Sequence, residues 1–425
     1  MLSSAAGADA SIVRTTAYWS EIAPTRPANA ADPFDPAYQF TDLDQLVRTA
    51  ALDDMTVLLT VWGTPGWANG NKGLNYAPTR MSDLQQFAQA LAARYSGRYP
   101  GFPFVGCFSL WNEPNLSEFL APTFRNGKPA SPIVYAQMAR AAYAGIKAGN
   151  RLAQFAIGET SPRGRDRPSP SPGRVQDTLS PGTFARLVAQ APGPKVRFDA
   201  WAQHPYSDLG QGPLQKVRFP NVDLANLGTF ERALDKWFKR KGTPIWITEY
   251  GFQTKPGQPK GVTLAQQAAY VKQTLAIVRK DARVKMFTWY IFRDDPTSAW
   301  HSGLLTENST PKPSLRVFTA AARAMDARNV QMLVKPGASN PILRVPVWAL
   351  AARDGVAAKL GATVSVTYGR TTSVSQPTST IAINGYAAFR LPITKAKLNG
   401  LYVVTLIIGD DNGNQITRHA TVIVR

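Results

Sequence analysis

The sequence predicts an α/β chain in two parts: a (β/α)8 TIM barrel lacking its first strand over residues 1–327, then an antiparallel β-sandwich over residues 328–425. Three observations carry this. Strand-like and helix-like runs alternate from residue 11 to residue 325; two strand-like runs end at a glutamate, Glu113 and Glu249; and from Val330 the pattern changes to short alternating runs with turn residues between them.

In chain order, strands are expected at residues 11–19, 55–62, 104–111, 153–158, 198–204, 245–249 and 284–292, with helices at 43–52, 82–95, 130–149, 184–190, 229–239, 266–279 and 314–325. Ser82 is the expected cap of the second helix. The strand over 104–111 is apolar and aromatic throughout, which suits a strand covered on both faces, and Pro114 ends its pairing. Residues 161–182, dense in Pro, Ser and Arg, read as a long loop. This gives seven strands where a closed barrel needs eight. Residues 1–10 read as the tail of a helix entering the first strand, so a strand and most of a helix are expected to be missing from the front of the chain. The alternative is an overlooked strand within residues 1–327.

Beyond Val330, alternating runs at 363–368, 386–391 and 402–407, with Asp410-Asp411-Asn412-Gly413-Asn414 as a turn, predict the sandwich. Two roles are open for it: covering barrel surface, or binding carbohydrate or attaching to a wall.

With 425 residues, 44% of them hydrophobic, the chain buries a large core. The formal charge of +20 raises the question of nucleic acid, but the basic residues are spread out: residues 328–425 hold 11 basic and 3 acidic side chains, the rest 37 and 25. An even spread fits general association with anionic polymers or a cell envelope, not a nucleic-acid groove. Cys107 is the only cysteine and lies in a buried-strand pattern, so it reads as a core residue and no internal disulfide forms. No apolar run is long enough to span a membrane, and residues 1–11 lack the features of a secretion signal; a secreted or envelope location is expected from the charge. With three histidines and no His-Glu-x-x-His motif, no metal site is expected, and Gly210-Gln211-Gly212 lacks the context of a dinucleotide fingerprint, so no cofactor is implied.

Two carboxyl groups delivered to one rim are the chemistry of glycosidic bond cleavage, in which one acid protonates the leaving oxygen and a second carboxylate acts at the anomeric carbon. Glu113 and Glu249 stand 136 positions apart, which is no obstacle because barrel strands all end at the same rim. The motifs Trp111-Asn112-Glu113-Pro114 and Ile247-Thr248-Glu249-Tyr250-Gly251 resemble the paired signature of the retaining glycoside hydrolases of clan A, families 39 and 5, over residues 11–325. The resemblance implies Glu113 as acid/base, Glu249 as nucleophile and Asn112 as a holder of the sugar 2-hydroxyl. In the clan these glutamates end strands four and seven, and here they end the third and sixth, which agrees with a missing leading strand.

By the same resemblance Arg14 hydrogen-bonds the nucleophile, His204 and Tyr206 end the sixth clan strand with Tyr206 facing the nucleophile, and Trp289 is a sugar platform. Each also has a plainer reading, as a surface arginine, a satisfied core histidine or a core aromatic. Trp62, Trp67 and Tyr290 are further candidates for stacking on sugar rings. Glu159 also ends a strand, but no asparagine precedes it, so it is expected to be structural or substrate-contacting; Asp294 and Asp295 are expected to shape the last loop. The function expected is a retaining O-glycoside hydrolase acting on β-linked oligo- or polysaccharide. The alternative is a non-catalytic glycan-binding or surface protein on a degenerate barrel, and an inverting hydrolase or transglycosidase uses the same scaffold.

Overall fold

The computed structural model describes residues 1–171 and 175–425; positions 172–174 of the expected long loop lie outside the described residues. Strands β1 (Ile12–Tyr18), β2 (Thr56–Trp62), β3 (Cys107–Leu110), β4 (Gln154–Thr160), β5 (Ala200–Gln203), β6 (Ile245–Ile247) and β7 (Val284–Phe287) form one sheet in that order, each pair parallel. Helix α1 (Leu2–Gly7) precedes β1, and helices α2 (Thr41–Leu52), α3 (Met81–Arg94), α4 (Ser131–Gly149), α5 (Pro181–Ala189), α6 (Leu227–Phe238), α7 (Leu264–Lys280) and α8 (Pro313–Ala324) follow the strands in turn. This is a TIM barrel one strand short. Among the described residues no eighth parallel strand lies within 1–327, and β1 does not pair with β7.

Most strands are shorter than the runs that encode them, although β4 extends two residues further, to Thr160. The run at 104–111 pairs only over Cys107–Leu110, and Trp111 turns away with φ +68°. Ser82 is not a cap: α3 starts after Arg80, which makes no side-chain capping bond. Where capping does occur it follows the sequence, as at α7, where Thr263 and Gln266 bond reciprocally across the first turn.

Beyond the barrel, Val330–Val334, Gln415–Val424, Leu401–Asp410, Lys359–Tyr368 and Thr371–Ser375 lie side by side, with Thr378–Thr380 added on the Lys359–Tyr368 strand. A second, two-stranded sheet pairs Ile342–Pro346 with Tyr386–Arg390. Alternation works as expected: along Leu401–Asp410, Tyr402, Val404, Leu406 and Ile408 are buried while Leu401, Val403 and Ile407 face out. Two features depart from a purely antiparallel sandwich, namely the parallel pairing of Val330–Val334 with Gln415–Val424 and helix α9 (Trp348–Asp354). Val330–Val334 enters from α8 running the wrong way for an antiparallel partner and closes the sheet edge instead.

Three apolar clusters are separate: one drawn from residues between Ala17 and Val278, a small one of Leu58, Ala156, Ala200, Ala202 and Trp246 on the parallel strands, and one from residues between Leu343 and Val424. Polar contacts join the two parts. Arg418, 3% exposed, donates through Nη2 to Asp54 Oδ1 at 2.6 Å and through Nε to the Pro346 carbonyl at 2.6 Å. The Ala349 amide at the start of α9 also reaches Asp54, at 3.4 Å. No helix among the described residues is long and apolar enough to cross a membrane.

Asp54→Ala strands the Arg418 guanidinium in a buried place, which typically costs about 3 kcal/mol. Denaturant unfolding of the variant is expected to give an unfolding free energy lowered by that amount, seen as a lower midpoint at unchanged slope; an unchanged midpoint means Asp54 does not neutralise Arg418.

Candidate active site

The C-terminal ends of the strands bring five ionisable side chains together. Arg14 comes from the middle of β1 and reaches up to the rim; Glu113 follows β3, Glu159 lies in β4, His204 follows β5, and Glu249 stands two residues beyond β6. Local backbone geometry aims them. Asn115, fully buried, ties the Glu113 loop down by accepting from the Ser161 amide at 2.9 Å and donating to the Leu179 carbonyl at 2.8 Å. Glu113 itself sits at φ +36° and its amide donates to the Glu159 carbonyl at 2.9 Å. A left-handed non-glycine residue is sterically costly, and such residues concentrate where a side chain must be aimed.

A bulge in β4 sets Glu159. Gly158 pairs with Ala202 and Thr160 with Gln203, so Glu159 is the extra residue, turned at φ +49° into the barrel interior. Gly158 has φ +110°, and a Cβ there would stand 2.5 Å from the Ala202 carbonyl oxygen, so the bulge needs glycine.

Arg14 donates through Nη1 to Glu249 Oε1 at 2.5 Å and through Nη2 to Asn112 Oδ1 at 3.3 Å and Glu159 Oε2 at 3.4 Å. Its Nε bonds Thr60 Oγ1 at 3.1 Å, which fixes the guanidinium plane. With Asn112 Oδ1 engaged, the Asn112 amide NH2 is left as the donor. Tyr206 donates to the other oxygen of Glu249, Oε2, at 3.1 Å. His204, wholly buried, has Nδ1 3.0 Å from Glu113 Oε1 and Nε2 2.8 Å from Glu159 Oε2, and Nδ1 also lies 3.6 Å from Glu249 Oε2. One oxygen each of Glu113 and Glu249 and a His204 ring nitrogen all lie within 4.8 Å of one another.

Electrostatics separate the groups. Burial raises the Glu113 carboxyl, the His204 hydrogen bond lowers it, and the charge of Glu249 raises it again; the balance is above its usual value. Burial also works against ionised Glu159, but the charge of Arg14 and the bond from His204 outweigh it and hold the group at about 2. His204 loses solvation too, yet Glu249, Glu113 and Glu159 push it up to about 10. Burial, then the charges of Glu249 and Glu113, keep Tyr206 a neutral phenol.

Glu113, His204 and Glu249 are close enough to bind a cation in common, but the donor set does not fit one. Each His204 nitrogen already lies at hydrogen-bond distance from a carboxylate oxygen, Nδ1 from Glu113 and Nε2 from Glu159, which leaves neither turned to a metal.

The cavity around these groups measures about 1810 Å³. Consecutive residues Ile12 to Thr16 and Val284 to Thr288 line it, so it runs from the rim down between the free edges of β1 and β7. Aromatic walls flank the carboxylates: Trp62 with Tyr18 and Phe119 on one side, Tyr290 and Trp300 on the other.

Most expected side chains meet here. Arg14, Asn112, Glu113, Tyr206, Glu249, Trp62, Trp289 and Tyr290 line the cavity, and His204 lies directly beneath. Trp289 touches it with an anchored ring: its indole N–H donates to the Ser302 carbonyl at 2.9 Å and it packs on Tyr250 and Phe252, while Tyr290 next to it is 37% exposed. Trp67 is not brought to the cavity, because its N–H bonds the Ala23 carbonyl at 2.7 Å, its ring packs on Trp19 and Arg26 covers its face. Glu159, which no sequence motif marks, joins the network, and Thr248, the residue before Glu249 in its motif, donates its hydroxyl to Glu159 at 2.5 Å. Asp294 binds Lys312 at 2.6 Å and the Gly303 amide at 2.7 Å, shaping the last loop.

A model of the family described as Cellulase (glycosyl hydrolase family 5) matches residues 1–294. A search of curated proteins found no match. Among solved structures, a family 39 glycoside hydrolase from the gut symbiont Bacteroides cellulosilyticus WH2 is 19% identical, with a TM-score of 0.54 over 93% of this chain and 77% of its own. The protein GH5_18 from Streptomyces cattleya, in complex with GlcNAc, is 17% identical with a TM-score of 0.52, over 79% of this chain and 78% of its own. The exo-β-1,4-mannosidase Op5Man5 from Opitutaceae bacterium strain TAV5 is 15% identical with a TM-score of 0.51, over 79% and 57%. At these identities the likeness is one of fold.

The shifted groups predict how the fold responds to pH. Stability from ionised Glu159 is present above its usual 4.5 and is lost as pH falls toward about 2. Stability from charged His204 is full below its usual 6.5 and is lost as pH rises through about 10. The melting temperature is therefore expected to fall between about pH 6.5 and 10, and this slope to vanish in His204→Gln. Equal slopes in the two proteins would remove His204 as the source.

Proposed function

Since the chain belongs to glycosyl hydrolase family 5 and is a glycosidase, we propose that it hydrolyses β-linked oligo- or polysaccharide with retention, through a covalent intermediate on Glu249. The observation that carries this reading is the separation of the carboxylates. Oxygens of Glu113 and Glu249 lie within 4.8 Å, which matches the close spacing of about 5–5.5 Å used for direct attack and not the about 6.5–9.5 Å that admits a water for inversion.

The roles follow from the surroundings. Glu113, its pKa raised by burial, keeps a proton for the glycosidic oxygen. Glu249 is held by Arg14 on one oxygen and Tyr206 on the other, which orients it toward the anomeric carbon. As the C–O bond breaks, the Glu113 proton goes to the departing oxygen and Glu249 forms an ester with the sugar. Glu113, now a carboxylate, takes a proton from water as that water attacks the ester, and both groups return to their starting states. Asn112 offers its amide to the sugar 2-hydroxyl, and Trp62 and Tyr290 offer flat faces to sugar rings.

Residues 328–425 act as an accessory domain in this reading, and a secreted or envelope location is part of the same proposal. Two of the similar structures carry GlcNAc or β-1,4-mannosidase in their names, so β-mannosides and N-acetylglucosaminides belong in a substrate panel with β-glucosides and β-xylosides. The open edge beside β1, the strand that carries Arg14, favours a second reading as a glycan-binding barrel without turnover.

Glu249→Ala is expected to abolish turnover of every substrate. Glu113→Ala is expected to cost about 10²- to 10⁴-fold on natural glycans but far less on aryl glycosides whose leaving group needs no proton. Kinetics on both substrate types check this: equal losses for both variants contradict the roles, and a folded wild type that binds but cleaves nothing in the panel favours the second reading.

A further inference from the structure

The mechanism leaves one carboxylate of the site unused. Glu159 is 0% exposed, and the bulge at Gly158 to Thr160 exists to point it inward. Its Oε2 receives His204 Nε2–H at 2.8 Å, the Thr248 hydroxyl at 2.5 Å and Arg14 Nη2 at 3.4 Å. Isolated ions do not persist in such a place, so an inward glutamate there needs a fixed cation. We propose that Glu159 is a positioning residue: it holds His204 as a doubly protonated imidazolium whose Nδ1–H donates to Glu113, so that the proton exchanged during reaction is carried by Glu113. This rests on the reading of Glu113 as acid/base.

The charge count supports it. Glu113 after β3, Glu159 in β4 and Glu249 after β6 face His204 directly, with the Tyr206 ring beside it, while Arg14 from β1 and Thr248 after β6 bond the same carboxylates. With Glu113 protonated, the charges of Glu159 and Glu249 balance those of Arg14 and His204. Once Glu113 has given up its proton and Glu249 has become an ester, Glu113 and Glu159 balance the same two cations. The cluster is neutral in both states, so no counter-charge has to enter or leave a water-poor site. Without Glu159 the cluster carries one excess positive charge in each state, and His204 is the group able to shed it.

A neutral His204 changes the chemistry at Glu113. With its proton kept on Nε2, the ring presents a lone pair at Nδ1, 3.0 Å from Glu113 Oε1. Glu113 would then donate its O–H to the histidine, and the proton needed by the leaving oxygen would be held there.

The chain has three histidines, His204, His301 and His419, so ring-nitrogen NMR of the ¹⁵N-histidine-labelled full chain is tractable, with His204→Gln assigning the signal. Both His204 nitrogens are expected to stay protonated up to about pH 8.5. In Glu159→Gln, His204 is expected to titrate at least about one pH unit lower. Its kcat on a natural glycan is expected to fall about tenfold or more, with KM little changed and aryl glycosides with good leaving groups largely spared. The basic limb of its pH–rate profile is expected to follow the NMR titration, and Glu159→Asp, which keeps the charge, to restore the doubly protonated ring in part. A neutral His204 in the wild type at pH 7–8 overturns the proposal, even if the variants fail to fold, and so does a Glu159→Gln protein with unchanged His204 titration and leaving-group dependence. The ring spectrum is independent of turnover: a doubly protonated His204 in a chain that cleaves nothing would refute the hydrolase reading instead.

Discussion

The guanidinium of Arg14 sits where water barely reaches, and the rest of the rim is arranged to make that tolerable. Desolvating a cation costs several kcal/mol unless opposite charges meet it at hydrogen-bond distance. Arg14 meets Glu249 and Glu159 and is braced by Thr60 and the Asn112 amide oxygen. Those contacts come from β2, β4 and the segments that follow β3 and β6. One buried charge thus fixes the relative placement of most of the sheet's upper end, and each carboxylate it neutralises becomes available for chemistry.

The environment then divides three glutamates into three kinds. Glu159, bonded by cations and fully enclosed, is held ionised at about 2. Glu113, with one histidine contact and a half-open position, is raised by burial. Glu249 has a guanidinium on one oxygen and a phenol on the other. Identical side chains are separated by what surrounds them, which is how a single set of carboxyl groups supplies both an acid and a nucleophile. The backbone cooperates at the same points: the positive φ angles of Trp111, Glu113 and Glu159 are all at this rim.

The other end of the barrel shows a different constraint. A closed barrel fills its interior with side chains, whereas here the cavity continues between the free edges of β1 and β7. Helix α9 and the Arg418–Asp54 pair tie residues beyond 330 to the loop between α2 and β2. The second set of sheets therefore braces one side of the barrel while its seam stays open.

Much of this was legible in the chain itself. Apolar runs ending at Glu113 and Glu249 named the strands and two of the carboxylates, because a strand covered on both faces is largely apolar and a carboxyl group at its end reaches the rim. The count of seven strands and the change of period at Val330 were likewise local signals. Tertiary structure decided the rest, since it depends on contacts between residues far apart. No local pattern tells that Trp67 turns its ring to Trp19 and Arg26, that Tyr290 is more open than Trp289, or that Val330–Val334 pairs in parallel with the last strand. Glu159 is the sharpest case: in sequence it is one glutamate after a glycine, and only the bulge opposite Ala202 and Gln203, with His204 and Arg14 arriving from other strands, makes it the fixed charge of the site. Periodicity reports which face of an element is buried; which ion meets which is set by how the curled sheet brings distant strand ends together.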